Sequence, residues 1–166
     1  EKLLDIYLQD QKNSAEYQLI KVALYYREGR KKEAADLSLK TAMADRASRD
    51  KALRFAVKIY SELRDHKKVV DVCNHILREN TADPVVFYRA EAYRNLQNFS
   101  AAHKDYKTYL SLPVAKAPET FRIQANFRIA EISAVIIRLV AENFIEFSLL
   151  LKWICFIKSP CNIRLC

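Results

Sequence analysis

Three histidines and four cysteines are the side chains of this 166-residue chain best suited to hold a metal or attack a substrate. His66 and His75 stand nine positions apart, and His103 is isolated. Zinc modules use closely spaced Cys or His pairs, because four ligands must converge on one ion. Cys155, Cys161 and Cys166 crowd the C-terminus without such a pair, and Cys73 lies alone inside a helical pattern. Metal binding is therefore disfavoured, and no cofactor is expected. A serine nucleophile on a tight elbow needs flanking glycines, and a phosphate cradle needs several. Gly29 is the single glycine in the sequence. Glu28, Glu33 and Asp36 fall on polar helix faces and read as solvated. The chain reads as a non-enzymatic protein without a small-molecule substrate.

The background that must position any functional group is helical. Apolar residues make up 51% of the chain and aromatics 11%, which argues against disorder. One Gly and four Pro are too few for the turns of a multi-stranded sheet. Ala, Leu, Lys, Arg and Glu dominate, and these lose little side-chain freedom in a helix. The net charge of +8 is spread along the sequence, and its densest run is Arg30-Lys31-Lys32. Nucleic acid is disfavoured as a partner on that distribution. The absence of a cysteine ladder argues against a secreted disulfide fold. Free cysteines and the lack of a signal-type start suggest the cytoplasm, although Glu1 is compatible with a fragment boundary or a processed end.

A repeat runs through this background. Tyr25, Tyr60 and Tyr93 recur at steps of 35 and 33 residues, and Phe127 continues the series 34 further on. Nine positions after the tyrosines stand the compact residues Ala34, Val69 and Ala102. A period near 34 residues with two helices per unit defines a solenoid of helical hairpins. In the third unit Val86, Ala90 and Tyr93 share one helix face, and Phe99, Ala102, Tyr106, Tyr109 and Leu110 share another. Asp83-Pro84 supplies an N-cap and first-turn proline, and Pro113 ends the unit. The expected helices are 1–12, 15–28, 31–46, 49–64, 66–79, 84–96, 99–111, 118–141 and 143–157.

This pattern resembles the tetratricopeptide repeat family. There a small residue in the first helix is followed three positions on by an aromatic, nine further by Ala, and four beyond by another aromatic. The third unit matches with Ala90, Tyr93, Ala102 and Tyr106, but has Arg89 where an apolar residue is expected and Tyr109 where a small one is expected. The first matches with Tyr25, Gly29 and Ala34, with Val22 and Ser38 as departures. The second, with Val57, Tyr60, Val69 and Cys73, is degenerate. The resemblance covers residues 15–116, and 117–131 more weakly. It implies an all-α, right-handed superhelical solenoid of antiparallel hairpins. The array would occupy residues 1–131, in units of about 15–48, 50–82, 83–116 and a weak 117–131.

From Ile132 the composition changes. Ala134-Val135-Ile136-Ile137 and Phe147 to Leu151 are apolar, but Arg138, Glu142, Glu146 and Lys152 break any membrane-spanning run. Residues 132–166 are read as apolar capping helices. A partner or membrane contact through residues 134–157 and a non-native tail are the alternatives.

The resemblance also implies a binding surface. In the family the first helix of each hairpin lines the concave groove. Carried onto this chain, the groove positions are Leu19, Ile20, Tyr26 and Arg27, then Arg54, Phe55, Lys58 and Glu62. Phe87, Tyr88, Glu91, Arg94 and Asn95 follow, and then Phe121, Arg122, Ala125 and Arg128. Aromatics and arginines supply contact area and charge-assisted hydrogen bonds. They suit a protein or peptide with acidic and hydrophobic character, held by a scaffold or adaptor. The docking arm of a larger complex or enzyme is the alternative. Some family members clamp a chaperone's terminal carboxylate with Lys, Asn and Arg. Here the corresponding residues are Leu19, Ala23, Phe55, Pro84 and Tyr88, so that ligand is disfavoured. Tyr25 and Tyr93 are expected in the core, Phe87 in either groove or packing, and Arg27 and Arg94 in either groove or solvent.

Overall fold

The computed structural model describes the backbone of residues 14–158 and the side chains of residues 14–143. The helix expected at 1–12 and Cys161 and Cys166 lie outside these residues. The chain divides into two compact units, Glu1–Asn126 and Phe127–Cys166.

The described part of the first unit is a succession of antiparallel helices without strands. They are α1 (Ala15–Arg27), α2 (Lys31–Ala44), α3 (Arg49–Glu62), α4 (His66–Glu79), α5 (Val86–Asn95), α6 (Phe99–Ser111) and the start of α7 (Glu119–Lys158). Each of α1 to α5 packs on the helix that follows it. Starts are fixed by short polar side chains that satisfy first-turn amides. Ser14, Asp65 and Asn98 accept hydrogen bonds from the backbone N–H of Tyr17, Lys68 and Ala101. Asp83, the expected N-cap of α5, stands two residues before the observed one at Val85. Its carboxylate accepts from Val85 N at 2.9 Å, and a tight turn through Val85 leads into α5.

The three hairpins close in the same way. Gly29, Arg64 and Gln97 take φ of 80°, 58° and 60°. The amides of Arg30, Asp65 and Asn98 then donate back to the carbonyls of Tyr25, Tyr60 and Tyr93, at 2.9, 3.0 and 2.9 Å. This is the Schellman arrangement, with a left-handed residue one place past the helix end. Only the first turn uses glycine for it.

The register read from the sequence marks the interior. Val22, Val57 and Ala90 are buried at 0%, 2% and 0% exposure, and so are Ala34, Val69 and Ala102 at 0%, 1% and 0%. Ser38, Cys73 and Tyr106 complete the set. Ser38 is tolerated there because its hydroxyl donates to the Ala52 carbonyl at 2.7 Å, which satisfies a buried polar group. Tyr25 and Tyr93 depart from expectation: both are half-buried, and only Tyr60 is enclosed. Each sits in the last turn of its helix, where one ring face is covered by a cation. Arg30 lies 3.9 Å from the Tyr25 ring centre and Arg89 5.9 Å from that of Tyr93.

The helix break expected near Glu142 is absent, and α7 runs unbroken from Glu119 to Lys158. No Gly or Pro occurs in that span, and Arg138 pairs with Glu142 one turn on at 2.8 Å. In the second unit Val135, Ile136, Ile137, Leu139 and Val140 are exposed. No described helix is long and apolar enough to cross a membrane.

Candidate protein-binding face

The expected face starts where α1 meets α3. The Tyr26 hydroxyl donates to Glu62 at 2.6 Å, and Lys31 pairs with the same carboxylate at 2.8 Å. Lys58 lies over the Tyr26 ring at 5.1 Å. Lys31 and then Tyr26 hold the Glu62 carboxyl below its ordinary pKa, and the same bond raises the Tyr26 phenol. Tyr26 and Lys58 are thus brought together on a locked patch. Arg27 is exposed at the end of α1, and Phe55 is half-buried.

Arg54 reaches from α3 to the linker before α5. It forms a fork to both oxygens of Asp83 at 2.6 and 3.2 Å, and also bonds Asp50 at 2.8 Å. Burial alone would raise the Asp83 carboxyl, but the Arg54 and Val85 hydrogen bonds outweigh it and hold the carboxyl below the usual range. Arg54 therefore works mainly as a joint between hairpins.

The third group surrounds Phe87, which is 5% exposed. Its ring packs against Tyr106, Tyr109 and Phe121 at centroid distances of 5.9, 5.2 and 5.0 Å. Phe87 supports the face from beneath, while Tyr88 beside it stands out at 41% exposure. Arg122 donates to the Leu112 carbonyl at 3.1 Å, and burial raises the Tyr109 phenol against the opposing charge of Arg122. One helical turn further, Glu91 accepts from Tyr106 at 2.6 Å and pairs with Arg94 at 3.0 Å. The Asn95 amide donates to the Glu91 carbonyl. Ala125 is buried. Arg128 belongs to the second unit, where it pairs with Glu131 at 2.8 Å.

Two carboxylates are buried among the described residues: Asp83, expected only as a helix cap, and Asp105, which the sequence did not single out. Asp83 and Asp105 are 3% and 4% exposed. Asp105 explains why Arg89 occupies an apolar register position. The guanidinium makes two bonds to Asp105 at 2.7 and 2.8 Å and a third to Asn74 at 2.7 Å, joining α4, α5 and α6. The available signal was an arginine on an otherwise apolar stripe. Among the described residues no group of three or more His, Cys, Asp or Glu side chains is placed to hold a metal ion.

These features define an all-helical repeat of stacked hairpins whose first helices carry a mixed aromatic and charged face. No family model matches the chain, and no curated protein matches its sequence. Among solved structures it is similar to PcrH from Pseudomonas aeruginosa, with a TM-score of 0.62 and 14% identity. The match covers 73% of this chain and 92% of PcrH, and it establishes likeness of fold.

Proposed function

We propose that the chain is a tetratricopeptide-type scaffold without enzymatic activity, which takes a partner peptide or protein subunit along the face formed by α1, α3 and α5. The observation that carries this reading is the combination of exposed contact groups on a locked base. Tyr88, Lys58 and Arg27 are exposed, while buried Phe87 and the bonded carboxylates of Glu62 and Glu91 are held in place by neighbouring helices. A preorganised surface loses less freedom on binding. Arg54, Arg94 and Arg122 already have internal acceptors, whereas Arg27 and Lys58 form no ion pair among the described residues. The acidic part of a partner would therefore meet α1 and α3, and its apolar part would meet Tyr88.

The test is capture from cell extract with the full chain, comparing wild type with a variant carrying Arg27→Glu, Lys58→Glu and Tyr88→Ala. All three residues are exposed, so circular dichroism and melting should be unchanged. A partner retained by wild type and lost by the variant supports the face. An identical set of captured proteins refutes it.

The exposed Val135, Ile136, Ile137, Leu139 and Val140 favour a second reading, a docking arm that engages a larger complex or a membrane surface through residues 134–157. Deleting those residues, with loss of the captured partner or of vesicle flotation, would support it over the first.

A further inference from the structure

A second recess lies in the first unit and involves a different set of side chains. It occupies about 520 Å³ between α2 and α4, above the start of α3. Leu39, Ala42 and Met43 form one wall, and the buried Leu53 and Val72 form the floor. The other wall follows one stripe of α4 from Lys68 through Asp71 and His75 to Glu79. That stripe advances eleven residues, about 16 Å at the helical rise, so the recess is an elongated trough about three turns long.

Each end is closed by an ion pair. Arg49 bonds Glu79 at 3.5 Å and the Ala42 carbonyl at 3.1 Å. Lys68 pairs with Asp36 at 3.8 Å and covers the Tyr60 ring. The cations of the trough are therefore compensated. Midway along the polar wall, Asp71 is exposed and forms no ion pair among the described residues. On the opposite wall Met43 is 77% exposed, a flexible thioether that adapts to varied apolar shapes.

We propose that this trough docks an amphipathic helix of a partner protein, with its apolar stripe on Met43 and Leu39 and a Lys or Arg at its middle turn facing Asp71. The length accommodates apolar anchors at i, i+3, i+4 and i+7, the pattern by which helices enter grooves. The uncompensated carboxylate sets the charge of the residue beside that stripe. The net positive charge of the chain opposes a basic partner only at long range, and salt screens it beyond about 8 Å at physiological ionic strength. A contact with Asp71 lies within that distance. This surface is separate from the α1, α3 and α5 face, and either assignment stands or falls without the other.

The probe is a stapled twelve-residue helical peptide with leucines at i, i+3, i+4 and i+7 and one lysine flanking the second turn. Two controls are a peptide with glutamate at the lysine position and one with the leucines dispersed. Binding to the full chain is read by fluorescence anisotropy. The lysine peptide should bind at least tenfold more tightly than either control. Met43→Glu should weaken it about tenfold. Asp71→Lys should reverse the preference between the lysine and glutamate peptides. Both residues are exposed, so melting temperature verifies that the variants stay folded. Equal binding of all three peptides, or binding unaffected by both substitutions, overturns the proposal. Loss of the peptide from the Arg27→Glu, Lys58→Glu, Tyr88→Ala variant also overturns it, because the peptide would then occupy the other face.

Discussion

Replacing Asp105 by Ala should destabilise the chain by about 3 kcal/mol, the lower end of what removal of one partner from a buried pair costs. The magnitude follows from what remains. Arg89 would keep its bond to Asn74 and lose both bonds to the carboxylate, while its side chain is only 22% exposed. Partial exposure lets some water reach the stranded guanidinium and limits the penalty. The reverse change, Arg89→Ala, strands the less accessible member, since the Asp105 side chain is 6% exposed. That cost should be nearer 4 kcal/mol. Replacing both residues, as Arg89→Met with Asp105→Leu, removes the desolvated charges together and should return stability to within about 1 kcal/mol of wild type. Urea denaturation followed by circular dichroism measures all four proteins. The single changes should also lower Tm, at about 2–4 °C per kcal/mol for a chain of this length. A cost below about 1 kcal/mol for Asp105→Ala would refute the reasoning, as would a double variant less stable than the sum of the singles.

The hairpin turns give a second prediction. Arg64→Gly and Gln97→Gly should each stabilise the protein by up to about 1 kcal/mol, because a non-glycine residue pays about that much for a left-handed backbone. Gly29→Ala should cost about 1 kcal/mol through φ alone, since an added Cβ at Gly29 meets nothing within 4 Å. Urea midpoints that shift in the opposite directions would show that the turns are set by other contacts. At alkaline pH, burial pushes the Cys73 thiol up to about 12, partly offset by the charge of Arg89. An unfolded thiol loses its proton near pH 8.5, so the unfolded state binds fewer protons above that point. Stability should therefore fall between about pH 9 and 12, by up to about 1.4 kcal/mol per unit for this group. Urea midpoints across that range should lose this part of the slope in Cys73→Ala. Buried Tyr60 and Tyr106, whose phenols are also raised, should supply the remainder from about pH 10.

The hairpin architecture was legible because each unit must bury the same small positions. Val22, Val57 and Ala90 recur in step with Ala34, Val69 and Ala102, and close helix approach makes their size a requirement. The helix starts expected at 15, 66 and 99 coincide with the observed ones, which Ser14, Asp65 and Asn98 cap, whereas the cap expected at Asp83 stands two residues ahead of the observed one at Val85. The Arg89–Asp105 pair was hidden because its members are separated by a turn and face each other only after the hairpin closes. The left-handed turns at Arg64 and Gln97 carry no glycine to mark them. Tyr25 and Tyr93 share the spacing of enclosed Tyr60 but are half-buried, each with a cation over its ring. The groove positions of the sequence reading mixed two kinds of residue. Tyr88 and Lys58 are exposed, whereas Phe87 is buried and Arg54 is bound to Asp83. Spacing places such residues on a helix, but only the packing of the next hairpin decides how far each side chain is covered.

The polar bonds between hairpins have a mechanical consequence. Apolar surfaces can slide over one another with little change in energy, whereas a directional bond of fixed length resists rotation. The joint between the first two hairpins is tied by Tyr26 to Glu62, Lys31 to Glu62, Tyr60 to Asp36 and Ser38 to Ala52. The next is tied by Arg54 to Asp83 and Arg89 to Asn74. Bending either joint would stretch several bonds at once, so the described hairpins behave as a stiff spring. Glu62 and Lys31 are more open to water than Asp83. Ions weaken exposed pairs most, so added salt should loosen the Lys31–Glu62 tie before the Arg54–Asp83 tie.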